Sequence, residues 1–575
     1  MKVQLAKVAG FCMGVRRAMD MALEASQNAH PPVYTFGPLI HNPSALSLLR
    51  ARGVEVLKEI PEKGKGTVII RAHGVLPGEK ERLKAAGFLV MDATCPRVVH
   101  VQMVVRHYAR KGYQCVLIGD KGHPEVIGIM GYAEGHGILV SAEEDIESLP
   151  ELDRYIIVAQ TTQDQERYDV WSRKILSRYP GGKIFHTICN STHRRQAEVR
   201  RLASETDVVV VVGGKQSANT KRLAEIVAEC GKLAMAVETE EELDKERLSG
   251  FKHVGVTAGA STPNWIINRV VREIEALLGT FDSIRRQVAY RFVRFLYESN
   301  LWTAFAGGAL AWSALIIDRV DVPPFFAVAM AFCYIFAMHT LNLFMDQEAG
   351  EYNDPLRAKF LSQYKAIFYA SSMLAVFVSL GIAWYLSMAS FLWLLAISAL
   401  GILYTVPVIP GPRRIRALKN LPGSKTFFIA LAWASVAVLL PLTGFISCLR
   451  PMHWILFILG AVLVYMRSVL LEVLDVQGDR IVGRETLAIL IGERKAVNLV
   501  GLLSVILGVV SVILPAMGIV PWQFVSFLPA SLWMLGLSRL FSGRRIGQNL
   551  RLELMVEASF LLLLAGAIVL DMLPL

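Results

Sequence analysis

Three cysteines, Cys12, Cys95 and Cys189, stand at roughly even intervals, in the settings AKVAGFCMGVRRAMDMA, FLVMDATCPRVVHVQMVV and KIFHTICNSTHRRQAEV. In each, an apolar stretch gives way to cysteine and then to a helix-compatible run. The recurrence predicts three related α/β units. If these pack about a pseudo-threefold axis, three thiolates meet at the centre. That donor set closes three corners of a 4Fe-4S cubane and leaves the fourth iron open to substrate. The competing reading is three buried structural thiols, because free cysteine is a common core residue. Cys115, inside QCVLIG, and Cys230, near a helix end, suit that second reading.

Polar residues around the cysteines suggest what such an iron would meet. His41 in GPLIHNPSAL, His73 in IIRAHGV and His123 in GDKGHPEVIGIMGY each follow or end a strand-like segment. Any one alone reads as a hydrogen-bonded core or surface histidine. Three in matching positions read as donors for an anionic substrate, with Glu125 two residues after His123 as a proton donor. The run DVVVVVGGKQSANTKRLAEIVAEC is a buried strand, a glycine turn and a helix, which aims backbone N–H groups at an anion. Ser217 and Asn219 add side-chain donors there. VGVTAGASTPNWIINRV repeats the plan with Ser261, and AQTTQD supplies Thr161 after a third strand. Each serine or threonine alone also fits an ordinary helix cap.

The elements that must position these groups divide the chain. Residues 1–280 mix charged and apolar segments, 281–298 form a basic linker, and 299–575 are dominated by long apolar runs that raise the hydrophobic share of the 575 residues to 53%. Seven cysteines without paired, secreted-type spacing suit a reducing compartment. MKVQLAKVAGFC contains no apolar stretch of signal-peptide length, so the first part is expected in the cytoplasm. The net charge of +11 calls for no nucleic acid, since much of the excess lies in loops between apolar runs. In the linker, IRRQVAYRFVRFLY interleaves Arg285, Arg286, Arg291 and Arg294 with aromatics, as in a basic helix on an anionic membrane surface; a simple linker helix is the alternative.

Nine apolar stretches follow, at 299–317, 323–344, 364–386, 388–409, 426–447, 453–474, 496–517, 521–541 and 553–571, each long enough to span a bilayer. Alternate loops carry the basic residues: Arg357 and Lys359; Arg413, Arg414, Arg416 and Lys419; Arg480, Arg484, Arg494 and Lys495; Arg544, Arg545 and Arg551. The opposite loops hold little beyond Arg319 and Arg450. This asymmetry predicts a multi-pass protein of the inner (cytoplasmic) membrane with its first half on the cytoplasmic side, in contact with membrane lipid. At those cytoplasmic ends, HTLNLFMDQEAGEYNDPLR puts Asn342 and Asp346 on one helix face, and LLEVLDVQGDRIVGRETL does the same for Asp475 and Asp479. Carboxylates at this depth are costly unless they bind something, and facing pairs suit magnesium bridged to a diphosphate. Solvated helix ends are the plainer reading.

The motifs GFCMGV, HNP, RAHGV, DATCP, GHPEVIG, QTT, TIC, RRQ, KQSANTKRL and GVTAGAS run in order through the first half, which resembles the LytB family of 4-hydroxy-3-methylbut-2-enyl diphosphate reductases. The resemblance implies a three-lobed α/β fold with a 4Fe-4S cluster on Cys12, Cys95 and Cys189. It implies a diphosphate held by His41, His73, Ser217, Asn219 and Ser261, with His123, Thr161 and Glu125 beside the reacting hydroxyl and Glu125 as proton source. The implied reaction is reductive dehydroxylation to isopentenyl and dimethylallyl diphosphate. Its electrons would come from an external ferredoxin or flavodoxin-type donor, since no nicotinamide fingerprint is visible. Ala218 replaces a serine usual in the family, and Asn190-Ser191 an Ala-Thr; neither touches a cluster ligand.

The second half resembles the UbiA family of intramembrane prenyltransferases. Asn342, Asp346, Asn353, Pro355 and Arg357 fall at its first-motif spacing, Asp475, Asp479 and GRETLAILIG at its second, and Tyr404 lies in the third block, GILYTVPVIP. This implies an all-α nine-helix transmembrane bundle in which Asn342, Asp346, Asp475 and Asp479 hold Mg2+ against a prenyl diphosphate for transfer to an acceptor whose identity stays open. Leu343 and Gly350 stand where the family commonly has aspartate, with Glu348 or Glu351 nearby. Two rival classes remain: an electron-transfer module for the first half, though such clusters normally use four cysteines, and a non-catalytic membrane anchor for the second.

Overall fold

The computed structural model describes residues 2–28, 31–277, 284–320, 325–345, 347–405, 423–443, 449–482, 486–542 and 550–573. The chain forms two compact units, Met1–Phe281 and Asp282–Leu575.

The first unit is α/β. Its strands are β1 (Lys2–Leu5), β2 (Val33–Phe36), β3 (Val54–Leu57), β4 (Thr67–Ile70), β5 (Leu89–Asp92), β6 (Gln114–Ile118), β7 (Gly137–Val140), β8 (Tyr155–Ala159), β9 (Lys183–Ile184), β10 (Val208–Val212), β11 (Leu233–Val237) and β12 (His253–Ala258). They build three four-stranded sheets, ordered β3-β2-β4-β5, β7-β6-β8-β9 and β11-β10-β12-β1. Every pairing is parallel. Within each sheet the order is second, first, third, fourth, if β1 is counted as the strand that follows β12. The chain's first strand therefore completes the sheet that its last strands begin.

Burial on both faces explains the strand sequences. TVII of β4, YIIVA of β8 and VVVVV of β10 are buried at every position, as central strands of a parallel sheet covered by helices must be. None of these three strands carries a charged side chain, and the candidate chemistry lies in the loops at their carboxyl ends. That is where open parallel sheets bind ligands.

The second unit is helical. Among the described residues, seven helices are long and apolar enough to cross a membrane: Phe325–Met345, Lys365–Leu386, Ser424–Thr443, Pro451–Val476, Glu493–Ala516, Trp522–Ser542 and Leu550–Asp571. An eighth span is reached if Val288–Glu298 and Leu301–Ile317, which meet at 74°, count together. The nine expected spans are thus not all realised among the described residues. Of the stretch at 388–409, the described residues show an apolar helix over Met388–Gly401. The described part of this helix runs Met388–Thr405, and residues 406–409 of the expected stretch lie outside the described residues. The first stretch, 299–317, forms the helix Leu301–Ile317, and the chain turns just ahead of it because Asn300 adopts φ 64°, a left-handed conformation that asparagine tolerates and that ends the preceding helix.

Candidate functional site

The three sheets place their chemistry by one rule. Each edge strand that is fourth in its sheet leads to a cysteine: β5 to Cys95, β9 to Cys189 and β1 to Cys12. Each central pair leads to polar residues: β2 and β4 to His41 and His73, β6 and β8 to His123 and Thr161, β10 and β12 to Ser217 and Ser261. One hydrogen bond recurs in all three sheets. The backbone N–H of Cys95 donates to Ala72 O at 2.9 Å, that of Cys189 to Thr161 O at 3.0 Å, and that of Cys12 to Ala260 O at 3.1 Å. The acceptor lies two residues beyond the end of β4, β8 or β12 each time. Every cysteine is thereby locked to the loop that carries a polar site residue.

All three cysteines are free and half-buried. Cys95 and Cys189 cap helices Pro96–Ala109 and Asn190–Glu205, and Val15 N–H approaches Cys12 Sγ at 3.5 Å. Three helix N-termini therefore surround the sulfurs. They are close enough to act on one another: burial pushes the Cys95 thiol up, backbone N–H groups of Arg97 and Val98 pull it down, and Cys12 and Cys189 raise it further. Mutual disfavour of three thiolates is relieved by a shared cation, so the donor set fits an iron–sulfur cluster. Cys115 differs. It is 1% exposed inside β6, bonds backbone carbonyls, and burial pushes its thiol up to about 11.

Helix Met13–Asn28 abuts Cys95 directly. A Cβ at Gly14 would stand 2.5 Å from Cys95 Sγ, and Arg17 donates to Thr94 O at 3.0 Å and Asp92 O at 3.1 Å. Gly14→Ala is therefore expected to displace the Cys95 sulfur and lower iron content well below wild type while far-ultraviolet circular dichroism stays unchanged. Iron analysis of anaerobically purified protein checks this.

The histidines form one cluster, with ring centroids 4.6 Å apart for His41–His73, 5.4 Å for His73–His123 and 5.7 Å for His41–His123. One nitrogen from each lies within 4.8 Å of the others, a spacing that a metal ion could also use. The bonding favours an anion. His123 Nδ1 accepts from the Glu125 backbone N–H at 3.1 Å, which leaves the neutral ring's proton on Nε2 as a donor. Burial, ahead of charge from neighbours, lowers His41, drives His73 well below the usual range and lowers His123 to about 4. His41 Nε2, His73 Nδ1 and Asn219 Nδ2 are buried with no partner among the described residues. Buried polar atoms are seldom left so, and an oxyanion would satisfy all three.

The β10 turn closes this cluster. Gly214 has no room for a Cβ because His41 O is in contact with that position, so the turn bearing Ser217 packs on the loop bearing His41. Ser217 caps helix Ala218–Glu229 by accepting from Thr220 N–H at 3.4 Å, and Asn219 in its first turn is 4% exposed. Ala218, where a further hydroxyl was expected, opens that helix. Ser261 is 9% exposed after β12.

Glu125 is 2% exposed and accepts from Thr161 N–H at 2.7 Å and Thr161 Oγ1 at 3.0 Å. Burial raises its carboxyl to about 7 and outweighs those two bonds. It is thus a buried acid able to hold a proton near neutrality. Two residues escaped the sequence reading. Arg71, half-buried, donates to Gly74 O at 3.2 Å and lowers all three histidines. Arg222, 7% exposed, donates to Gln163 Oε1 at 3.0 Å and lies 3.8 Å from Asp120, which ties the Ser217 helix to the loops bearing Thr161 and His123. The signal for Arg71 was its place two residues before His73 in RAHGV.

Residues 3–275 match the LytB protein family, and residues 300–560 match the UbiA prenyltransferase family. The chain belongs to the LytB family through its first half, and its second half matches the UbiA family model. A 4-hydroxy-3-methylbut-2-enyl diphosphate reductase of Geobacter sulfurreducens is 44% identical over 275 residues, 48% of this chain and 97% of that protein. The solved structure of (E)-4-hydroxy-3-methyl-but-2-enyl diphosphate reductase, the terminal enzyme of the non-mevalonate pathway, is 44% identical over 48% of this chain and 100% of that one, with TM-score 0.39. A UbiA homolog from Archaeoglobus fulgidus, solved bound to DMAPP and Mg2+, is 17% identical over 48% of this chain and 98% of that one, with TM-score 0.32. The first unit is a LytB-type reductase, an oxidoreductase of isoprenoid biosynthesis. With its UbiA half, the chain is a multi-pass membrane protein.

In the UbiA half, Asp475 and Asp479 lie one turn apart on helix Pro451–Val482, the first half-buried and the second 4% exposed. Between them, Gly478 N–H donates to Asn353 Oδ1 at 2.8 Å, and Asn353 fills the space that a Cβ at Gly478 would need. The two motif segments are therefore in contact. Asn342 is exposed near the end of Phe325–Met345. Asp346 and the side chains of Glu348 and Tyr404 lie outside the described residues. Arg357 is engaged elsewhere: its guanidinium donates to Asn300 Oδ1 and stacks 4.5 Å from the Tyr297 ring. Glu472, which the sequence reading did not single out, continues the acidic face inward and accepts from Thr426 Oγ1 and, at 3.2 Å, from Leu487 N–H.

Proposed function

We propose that the first unit carries out reductive dehydroxylation of 4-hydroxy-3-methylbut-2-enyl diphosphate, with Cys12, Cys95 and Cys189 as the cluster ligands. The observation that carries the reading is the recurring cysteine N–H bond, which places one sulfur from each sheet beside a loop of anion or proton donors. When bound, a 4Fe-4S cluster supplies the electrons and a Lewis-acidic iron. The chain's own residues do the rest. His41, His73, Ser217, Asn219 and Ser261 hold the diphosphate, with Arg71 supplying positive charge. Buried, neutral histidines donate N–H groups without repelling one another, and the surrounding burial excludes water. Thr161 and His123 orient the substrate hydroxyl, and Glu125 delivers a proton to it as the C–O bond breaks. Two electrons and two protons enter, and water and a five-carbon diphosphate leave. The electrons come from an external iron–sulfur or flavin protein. Incubation of the anaerobic full chain with this substrate and a chemical reductant tests the reading; absence of isopentenyl and dimethylallyl diphosphate overturns it.

The second unit, on our reading, transfers a prenyl group from its diphosphate, with Asp475, Asp479, Asn342 and Asp346 holding Mg2+ and the reductase unit on the cytoplasmic side of the inner membrane. The contact of Asn353 with Gly478 supports it, because it joins the two acidic segments. Membranes containing the chain, given radiolabelled prenyl diphosphates, Mg2+ and a panel of aromatic and lipid acceptors, are expected to form labelled product. Asp475→Ala is expected to abolish that product and leave reductase activity unchanged. Transfer that survives Asp475→Ala refutes the metal site. Inactive wild-type membranes with active Leu343→Asp/Gly350→Asp membranes identify a degenerate anchor instead.

A further inference from the structure

We infer that helix Ile284–Glu298 is an interfacial helix that binds anionic phospholipid headgroups at the membrane surface where the motif-bearing ends of the helical unit lie. Three observations within that unit carry this.

The first is its angle. The helix meets Leu301–Ile317 at 74°, and a helix set nearly perpendicular to a spanning one runs along the membrane plane. The bend is braced. Tyr297 Oη lies 2.7 Å from Asp354 Oδ2 and 2.9 Å from Glu553 Oε1, Arg357 stacks 4.5 Å from the Tyr297 ring and bonds Asn300, and Ser299 Oγ donates to Phe295 O at 2.6 Å.

The second is its depth. The Phe295 ring meets Phe360 at 6.4 Å, and Phe360 meets Tyr364 at 5.2 Å. Tyr364 immediately precedes the spanning helix Lys365–Leu386. The helix is therefore level with the start of a span, where aromatic side chains sit at headgroup height.

The third is its exposed face. Val288, Phe292 and Phe295 are 60%, 59% and 46% exposed and lie at i, i+4 and i+7, one continuous stripe. Arg285 and Arg291, both exposed, flank the stripe on opposite sides at 100° per residue. Glu298 is the only acidic residue between 284 and 298, and it is paired with Arg294 at 2.7 Å. Apolar residues that enter the acyl boundary between arginines at phosphate level match an anionic leaflet in both hydropathy and charge.

Photocrosslinking of the full chain tests this. p-Benzoylphenylalanine replaces Phe292, and the protein is reconstituted in vesicles of phosphatidylcholine and phosphatidylglycerol in equal parts, irradiated and analysed by mass spectrometry. The expected adducts are phospholipid, with phosphatidylglycerol favoured. In Arg285→Gln/Arg291→Gln that preference falls about fivefold or more, since each arginine near an anionic surface is worth about fivefold in affinity. The wild-type arginine background already reads the preference, so the result does not depend on the double variant folding. Crosslinks to residues 1–281, crosslinks to a second chain, or lipid adducts without headgroup preference each overturn the inference.

Discussion

Cys95→Ser is expected to remove the cluster and the reductase activity together. A serine hydroxyl is harder and far less acidic than a thiol, and cluster iron selects soft thiolate ligands. Cys115 cannot stand in for Cys95, because that thiol is buried within β6. Iron content and visible absorbance of the anaerobic protein should both fall to near background, as should turnover. Cys115→Ser and Cys230→Ser should keep all three, since one thiol bonds backbone carbonyls and the other is exposed at a helix end. Full cluster content in Cys95→Ser would refute the ligand assignment.

Glu125→Gln is expected to separate chemistry from cluster binding. The amide keeps the shape and can accept from Thr161 N–H, but it has no proton to give at neutral pH. General-acid contributions of this kind run about 10²–10⁴-fold, and the loss should fall on kcat with iron content unchanged. Wild-type kcat should decline as pH rises through about 7, where the carboxyl loses its proton; the residual rate of the variant should lack that step.

The same group has an opposite effect on stability. Its carboxyl is raised from 4.5 to about 7 by burial, so its favourable contribution is fully present below the unfolded value and is lost as pH rises through the folded one. At pH 8 a buried carboxylate costs about 3 kcal/mol relative to its protonated form. Glu125→Gln should therefore raise Tm at pH 8 and leave it nearly unchanged at pH 4. Denaturation scans at the two pH values check the sign, and equal shifts at both would show that the carboxyl is not raised.

Much of this protein is legible along the chain because the signals are local. Strand, cysteine and helix succeed one another within some fifteen residues at Cys12, Cys95 and Cys189, and the valine run of β10 with its glycine turn announces a buried strand followed by a helix N-terminus. Apolar length likewise marks the spanning segments. Hydropathy measures length without direction, so the 74° turn ahead of the Leu301–Ile317 helix is not read from it.

What only the tertiary structure decided depends on contacts between segments far apart in sequence. Gly14 reads as an ordinary small residue until Cys95 is seen against it. Gly214 is one of two turn glycines until His41 O is found where its Cβ would be. The raised carboxyl of Glu125 follows from burial, and the lowered histidines follow first from burial and then from the charges of neighbouring groups, Arg71 among them. Asn353 and Gly478 meet across 125 residues of chain. Burial and electrostatic coupling act through space, so residue types and spacing can nominate the groups, while the packing of three sheets and one helical bundle decides which of them act together.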